Sequence, residues 1–362
     1  MTTVRRDIFS KAVNTASKAI SPNPVVPLLG NILFESNNGS SRVAGTNLEI
    51  GIGYTFPTKG EEFRVCIPAK VLSSLVDAMS AEEIDVEANP KDQSVTLMTE
   101  SSTSNIRCAP ADEFPDIPTI GTADFWLPVV RFKEMVQRVA FASRVGDGGS
   151  PMEAVQLSME GNKLILFAVD GYHLSYEEEE IETESTFESF LVKGTTLETI
   201  AKILPEEGDV HIQVQPNKAL FQCGNVDVVT QLMDGEFPSY ELLRQAIPPS
   251  TTTLFVPTIE MLRAARQLRV FATSGLSKLE VKGMLIRCSV LAQDKGDADV
   301  SFAAVRKGKD ITIGLNVNLL YELLEICKTD MITIEMGTKE DPILFKMKGV
   351  ESFYHVIMPM GL

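Results

Sequence analysis

The feature that most constrains this 362-residue chain is an internal repeat of about 123 residues, visible at several independent landmarks. Three segments carry apolar residues at i, i+3, i+4 and i+7, the single apolar face of an amphipathic helix. "PAKVLSSLVDAM" places Leu72, Leu75, Val76 and Met79 in that pattern, "TTLETIAKIL" places Leu197, Ile200, Ala201 and Leu204, and "NLLYELLEIC" places Leu320, Leu323, Leu324 and Cys327. Leu72 to Leu197 is 125 positions and Leu197 to Leu320 is 123. A second helix type recurs likewise. "DIFSKAVNTASKAI" carries Phe9, Ala12, Val13 and Ala16, and "VRFKEMVQRVAFAS" carries Phe132, Met135, Val136 and Val139, 123 later. A third copy, with Met261, Ala264, Ala265 and Leu268, follows at 129.

Loop landmarks keep the same period. Asn47 in "AGTNLEI" precedes Asp170 in "AVDGYHL" by 123, and Asp294 in "LAQDKGD" follows at 124. Phe114-Pro115 recurs as Phe237-Pro238, and Pro359 lies 121 beyond Pro238. Runs such as "HIQVQPNKALFQC" and "MITIEMGTKEDPILFKM" alternate apolar and polar residues around turn residues, which predicts antiparallel hairpins. The expectation is an α+β chain of three similar domains, 1–123, 124–250 and 251–362, the last boundary falling in "IPPSTTT".

The five cysteines and three histidines are scattered and form no C-x-x-C pair, so reduced thiols in a cytoplasmic protein are expected, with no metal and no cofactor. The N-terminus has no apolar core of a signal peptide, and no apolar run is long enough for a membrane span. The net charge of −16 taken alone argues against a nucleic-acid partner, but a sum says nothing about distribution.

The ordered set "VPLLGNILF", "GTNLE", "DEFP", "VDGYHL", "DGEFPSY" and "MPMGL", spread over three repeats, resembles the bacterial DNA polymerase III beta subunit family, the sliding clamps. The resemblance spans the whole chain. It implies a non-catalytic processivity factor: a head-to-tail homodimer whose helices line a hole around double-stranded DNA, with antiparallel sheets outside. It also implies a polymerase subunit, a clamp loader and other proteins with short clamp-binding motifs as partners.

Charge placement bears on that implication. The helical segments carry Lys11, Lys18, Arg131, Arg138, Arg263, Arg266 and Arg269, with Lys70, Lys193 and Lys202 at or near the ends of the second helices. These ten are the expected DNA-channel residues, making contacts to phosphate without sequence preference. Acidic runs such as "EEEEIETE" fall instead in strands and loops, where a solvated acidic edge is expected.

"FAVDGYHLSY" invites a catalytic reading because Asp170, Tyr172 and His173 stand together, yet Asp170 sits at a recurring turn position. The resemblance places a peptide-binding pocket here instead. Its residues carry over as Met152, Val169, Gly171, Tyr172, His173, Leu174, Pro238, Leu242, Leu243, Leu319, Val356, Met358, Pro359 and Met360. The chain departs from the family where Tyr172, His173, Leu242 and Gly361 replace the usual rim residues, and where Asn23 stands at a position often basic. An alternative follows from these departures: a clamp-like docking scaffold or specialised paralogue with altered partners and weakened encirclement of DNA. Ile106 and Phe271 are the matched candidates for the dimer interface.

Overall fold

The structure is a computed structural model that describes residues 1–362 apart from 38, 90, 147, 184–186, 188, 293 and 294. The landmark Asp294 therefore lies outside the described residues.

Each repeat runs strand, helix, four strands, helix, three strands, with one short extra strand between the helices of the first and third repeats. The first comprises β1 (Thr2–Arg5), α1 (Arg6–Ala16), β2 (Asn31–Asn37), β3 (Ser40–Thr46), β4 (Ile50–Pro57), a two-residue β5 (Lys59–Gly60), β6 (Phe63–Pro68), α2 (Ala69–Ala78), β7 (Glu83–Asn89), β8 (Ser94–Met98) and β9 (Thr103–Arg107). The second comprises β10 (Phe125–Pro128), α3 (Val129–Val139), β11 (Ala154–Glu160), β12 (Lys163–Val169), β13 (His173–Glu180), β14 (Ser189–Lys193), α4 (Gly194–Ile203), β15 (Asp209–Gln215), β16 (Lys218–Cys223) and β17 (Val226–Gln231). A short α5 (Tyr240–Gln245) follows. The third comprises β18 (Thr252–Pro257), α6 (Thr258–Arg269), β19 (Leu276–Lys282), β20 (Leu285–Ala292), β21 (Gly296–Ala303), a short β22 (Val305–Gly308), β23 (Ile311–Asn316), α7 (Val317–Ile326), β24 (Met331–Met336), β25 (Ile343–Met347) and β26 (Val350–Ile357).

By contacts the chain divides into two compact units, and the division cuts through the second repeat. The first unit holds residues 1–132, 182–185 and 199–232; the second holds 133–181, 186–198 and 233–362. In the first unit an eight-stranded sheet runs β10-β15-β16-β17-β4-β3-β2-β6, so strands of two repeats join where β17 pairs antiparallel with β4. In the second a nine-stranded sheet runs β14-β11-β12-β13-β26-β25-β24-β18-β22, joined where β13 pairs with β26. Two smaller sheets remain, β5-β1-β7-β8-β9 in the first unit and β21-β20-β19-β23 in the second.

The helices bury the faces that their periodicity predicts: Phe9, Ala12, Val13 and Ala16 on α1, and Met261, Ala264, Ala265 and Leu268 on α6. The repeat extends to single hydrogen bonds. Asn47 Oδ1 accepts from the N–H groups of Glu49 and Ile50, and Asp170 Oδ1 accepts from those of Tyr172 and His173, the same side-chain-closed turn in two copies. After the last strand of each repeat the chain also crosses back over the last strand before its second helix. Ala109 N–H donates to Cys66 O, Met233 to Leu191 O and Met360 to Gly314 O, at 2.8, 2.9 and 2.9 Å. Pro359 immediately precedes its crossing residue, whereas Pro115 and Pro238 follow theirs by six and five positions, so it is not their counterpart.

Two sequence expectations are corrected together. "EEEE" is a solvated edge only in part: the run continues β13 beside β12, and Glu177 also pairs with Phe353 of β26 and is fully buried, whereas Glu178 and Glu179 are half-buried and Glu180 is exposed. Arg138, expected in a DNA channel, is only 14% exposed, and its Nη1 donates to Glu177 Oε1 at 2.7 Å with Glu134 at 3.6 Å. Removing a cation from a buried carboxylate is destabilising. Arg138→Ala should therefore lower unfolding stability by about 3–5 kcal/mol, and Arg138→Ala with Glu177→Leu should recover most of that loss. Chemical denaturation checks both values.

Candidate functional site

The pocket residues expected from the sequence all lie in the second unit, most of them at the β12–β13 turn, α5 and the chain's last residues, with Met152 just before β11 and Leu319 on α7. Gly171 adopts φ +95°, the left-handed conformation that a β-carbon disfavours, which lets the turn close on Asp170. Leu174, Val169 and Val356 form an apolar cluster with Ile165, Phe167, Tyr176 and Tyr240, against which Leu243 and Phe237 pack. Aromatic stacking seats α5 on the sheet: Tyr176 stacks on Tyr240 at 4.4 Å and on Tyr354 at 4.9 Å. Ser239 caps α5 by accepting from Leu242 N–H. Leu242 and Tyr172 are thereby left largely exposed, at 68% and 69%, and Met358 at 42%. The tail is held at this turn by Met358 N–H donating to Tyr172 O at 2.8 Å. Met152, Pro238, Pro359, Met360 and Leu319 are half-buried, Leu319 packing against the core of the third repeat.

His173 belongs elsewhere. Side chains alternate along a strand, and that of His173 is buried with the fully buried His355, ring centroids 5.2 Å apart, and with Phe141. Phe141 stacks on His355 at 5.1 Å, and His355 Nδ1 meets Ser175 Oγ at 2.6 Å. His173 Nε2 lies 3.3 Å from Asp170 Oδ2. Burial works to raise the Asp170 carboxyl, but hydrogen bonds from the His173 side chain and from two backbone N–H groups outweigh it and hold the carboxyl below its ordinary range. Complete burial, helped by His173, holds His355 well below the ordinary histidine range. The arrangement orients a turn, and its one hydroxyl, Ser175 Oγ, is fully buried. Sequence reasoning missed the stack of Tyr176, Tyr240 and Tyr354; the period-two spacing of Leu174, Tyr176 and Glu178 was its available signal.

Of the expected DNA-channel residues, Lys11, Lys18 and Lys202 converge on a concavity of about 570 Å³ in the first unit, shared with Asn14, Thr15 and Asn225. Lys70 is exposed, its Nζ 3.4 Å from Pro22 O, beside the loop that carries Asn23. Arg131 and Lys193 are half-buried. Arg263, Arg266 and Arg269 are exposed on α6, where they engage Glu260, Glu325 and the Tyr321 ring respectively, the last at 3.9 Å. Of the expected interface pair, Ile106 is buried at 6%, with Val95 as its cross-strand neighbour, and Phe271 is half-buried against the core of the third repeat. Burial pushes Cys66, Cys288 and Cys327 up to about 12 and Cys108 to about 11, so these thiols are poor nucleophiles. Among the described residues no group of three or more His, Cys, Asp or Glu could hold a metal ion, and no helix is long and apolar enough to cross a membrane.

Three family models match in order: the DNA polymerase III beta subunit N-terminal domain over residues 1–118, the central domain over 126–239 and the C-terminal domain over 244–361. The chain belongs to the DNA polymerase III beta subunit family. Its functional class is the sliding clamp of DNA replication. The beta sliding clamps of Synechocystis sp. and Staphylococcus aureus are each 24% identical to it, over 99% of this chain and 98% of theirs. In structure it is similar to the beta subunit of Streptococcus pyogenes (TM-score 0.94, 20% identity, all of both chains) and to the Bacillus subtilis sliding clamp (TM-score 0.93, 20% identity, 100% of this chain and 99% of that one). At such identity the structural likeness shows the fold, here three clamp domains of mixed α/β structure with antiparallel sheets.

The buried imidazole of this beta-family chain carries a pH signature. Its folded pKa lies below the unfolded value near 6.5, so below that pH the unfolded chain binds more protons and stability falls. His355 should lower stability as pH falls from 6.5 toward 5, with a slope that rises toward a limit of about 1.4 kcal/mol per pH unit. His355→Phe should flatten that slope, and urea melts across pH 5–8 measure the difference.

Proposed function

We propose that this chain, built as clamp domains 1–123, 124–250 and 251–362, closes head-to-tail with a second copy into a ring around duplex DNA. The observation that carries this reading is the pairing rule at the two repeat junctions. In each, the third strand after a first helix (β4, β13) pairs with the last strand of the next repeat (β17, β26). The corresponding strands left over are β21 and β9, each at the edge of its small sheet. Unpaired edges invite strand addition, and joining β21 of one copy to β9 of another repeats the internal junction. The five-stranded and four-stranded sheets would then make a nine-stranded sheet, comparable with the other two.

Charge favours the same pairing. The outward residues of β9 include the exposed Arg107, and those of β21 include the exposed Asp297 and Asp299. Ile106, buried in its own chain, supports the strand rather than reaching a partner. The exposed lysines and arginines serve as phosphate contacts, without Arg138, and binding is insensitive to sequence and weakened by salt. The pocket of Val169, Leu174, Leu243 and Val356, rimmed by Tyr172, Leu242 and Met358, takes short apolar motifs from a polymerase subunit, a clamp loader and other partners. The chain works by tethering, with no catalysis of its own, and needs no cofactor. A rim of tyrosine and leucine favours aromatic and aliphatic anchors.

Sedimentation should give a dimer of twice the 39.7 kDa chain mass. Arg107→Asp should weaken association by about tenfold or more, and pairing that variant with Asp297→Arg should restore much of it. A stable monomer at micromolar concentration would sink the ring as the resting state.

A further inference from the structure

The chain's last residues link two surfaces of the second unit that lie on different sheets. Met358 hangs by its N–H from Tyr172 O at the pocket turn, and two residues later Met360 N–H donates to Gly314 O on β23, the edge strand of the four-stranded sheet. The contact is an antiparallel bridge, so the tail adds a fragment of a fifth strand beside β23. Beyond it, Leu362 lines a groove of about 900 Å³ with Phe271, Leu276 and Leu291, which also includes Asp297 and Asp299 of β21. Leu362 and Leu291 are exposed apolar residues, at 66% and 86%.

Gly314 is what lets the tail lie there. A β-carbon at this position would stand 2.2 Å from Met360 O and 3.3 Å from Leu362 Cδ2, whereas real β-carbons keep beyond about 3 Å of backbone. The equivalent positions in the sister repeats are Cys66 and Leu191, crossed by Ala109 and Met233. In the third repeat the crossing residue is Met360, at a hydrogen-bond distance like the other two, and the residue beneath it is a glycine.

We infer that docking of the tail on Gly314 is a shared element of the peptide pocket and of the seam edge, so that peptide binding and self-association are positively linked. The inference rests on the pocket and seam readings above. Both surfaces contain residues of the docked tail: Met358 and Met360 for the pocket, and Leu362 for the groove that extends from the β23 side across β19 and β20 to β21 at the opposite edge of the sheet. A ligand that uses the docked tail stabilises it and prepares the other site, and linkage makes the effect reciprocal. Gly314 is a positioning residue, acting through the tail without touching peptide.

The test measures the dimer dissociation constant with and without a saturating synthetic Gln- and Leu/Phe-containing pentapeptide. Peptide should tighten wild-type association several-fold, about 5-fold or more. Gly314→Ala should weaken peptide binding by about tenfold and remove the linkage, with its thermal melt close to wild type. Removing Leu362 should leave peptide affinity unchanged while weakening association and removing the linkage. This truncation is the control should Gly314→Ala fail to fold. Binding and association that are both present but independent overturn the inference alone. A wild-type chain that binds no peptide or stays monomeric overturns the pocket or seam reading and the inference with it.

Discussion

The structure depends on antiparallel strand pairing between repeats. Buried backbone N–H and C=O groups must be bonded, and a sheet that ends at a repeat boundary leaves a row of them open. The β17–β4 and β13–β26 pairings remove two such edges by running one repeat's strands into the next. Helical faces then pack on the sheets: Phe9 of α1 lies 5.0 Å from Phe34 of β2, and α6 and α7 bury Met261, Leu268, Leu320 and Leu324 in the core of the third repeat. Three repeats in one chain satisfy two junctions and leave the strands of a third exposed at β9 and β21.

The same junctions decide where recognition surfaces can form. At β13–β26 the sheet is buried on one side by Phe141 and the two imidazoles, and on the other by the tyrosine stack under α5. Both sides of the strands are thus held rigid, and the turn at Gly171 and the tail at Met358 sit at their common end. The basic concavity of Lys11, Lys18 and Lys202 lies next to the β17–β4 junction, with Tyr54 and Val226, a directly paired couple across it, in its lining.

The sequence made the helices legible because each buries one stripe, and Phe9, Ala12, Val13 and Ala16 show that stripe without tertiary help. The turns were legible too, since Asn47 and Asp170 recur with their side-chain acceptors. Strand β13 was harder. Residues His173 to Glu177 are all buried, so no alternation between wet and dry faces marks which way each points. His173 was therefore read as rim, Glu177 as solvent edge and Arg138 as a phosphate contact, although the last two form one buried ion pair. Ile106 is ambiguous in sequence, because an apolar residue on an edge strand can face either a partner or its own core; in the single chain it is buried. The tight crossing at Gly314 depends on a backbone approach from 46 positions away, which no local pattern encodes.

Topological enclosure is the central claim, and retention on nicked circular DNA tests it most directly. After loading, the protein should stay with circles through gel filtration in high salt, where phosphate contacts are screened, and should run off once the DNA is linearised. Equal retention on circular and linear DNA, or salt-sensitive loss from intact circles, would contradict encirclement.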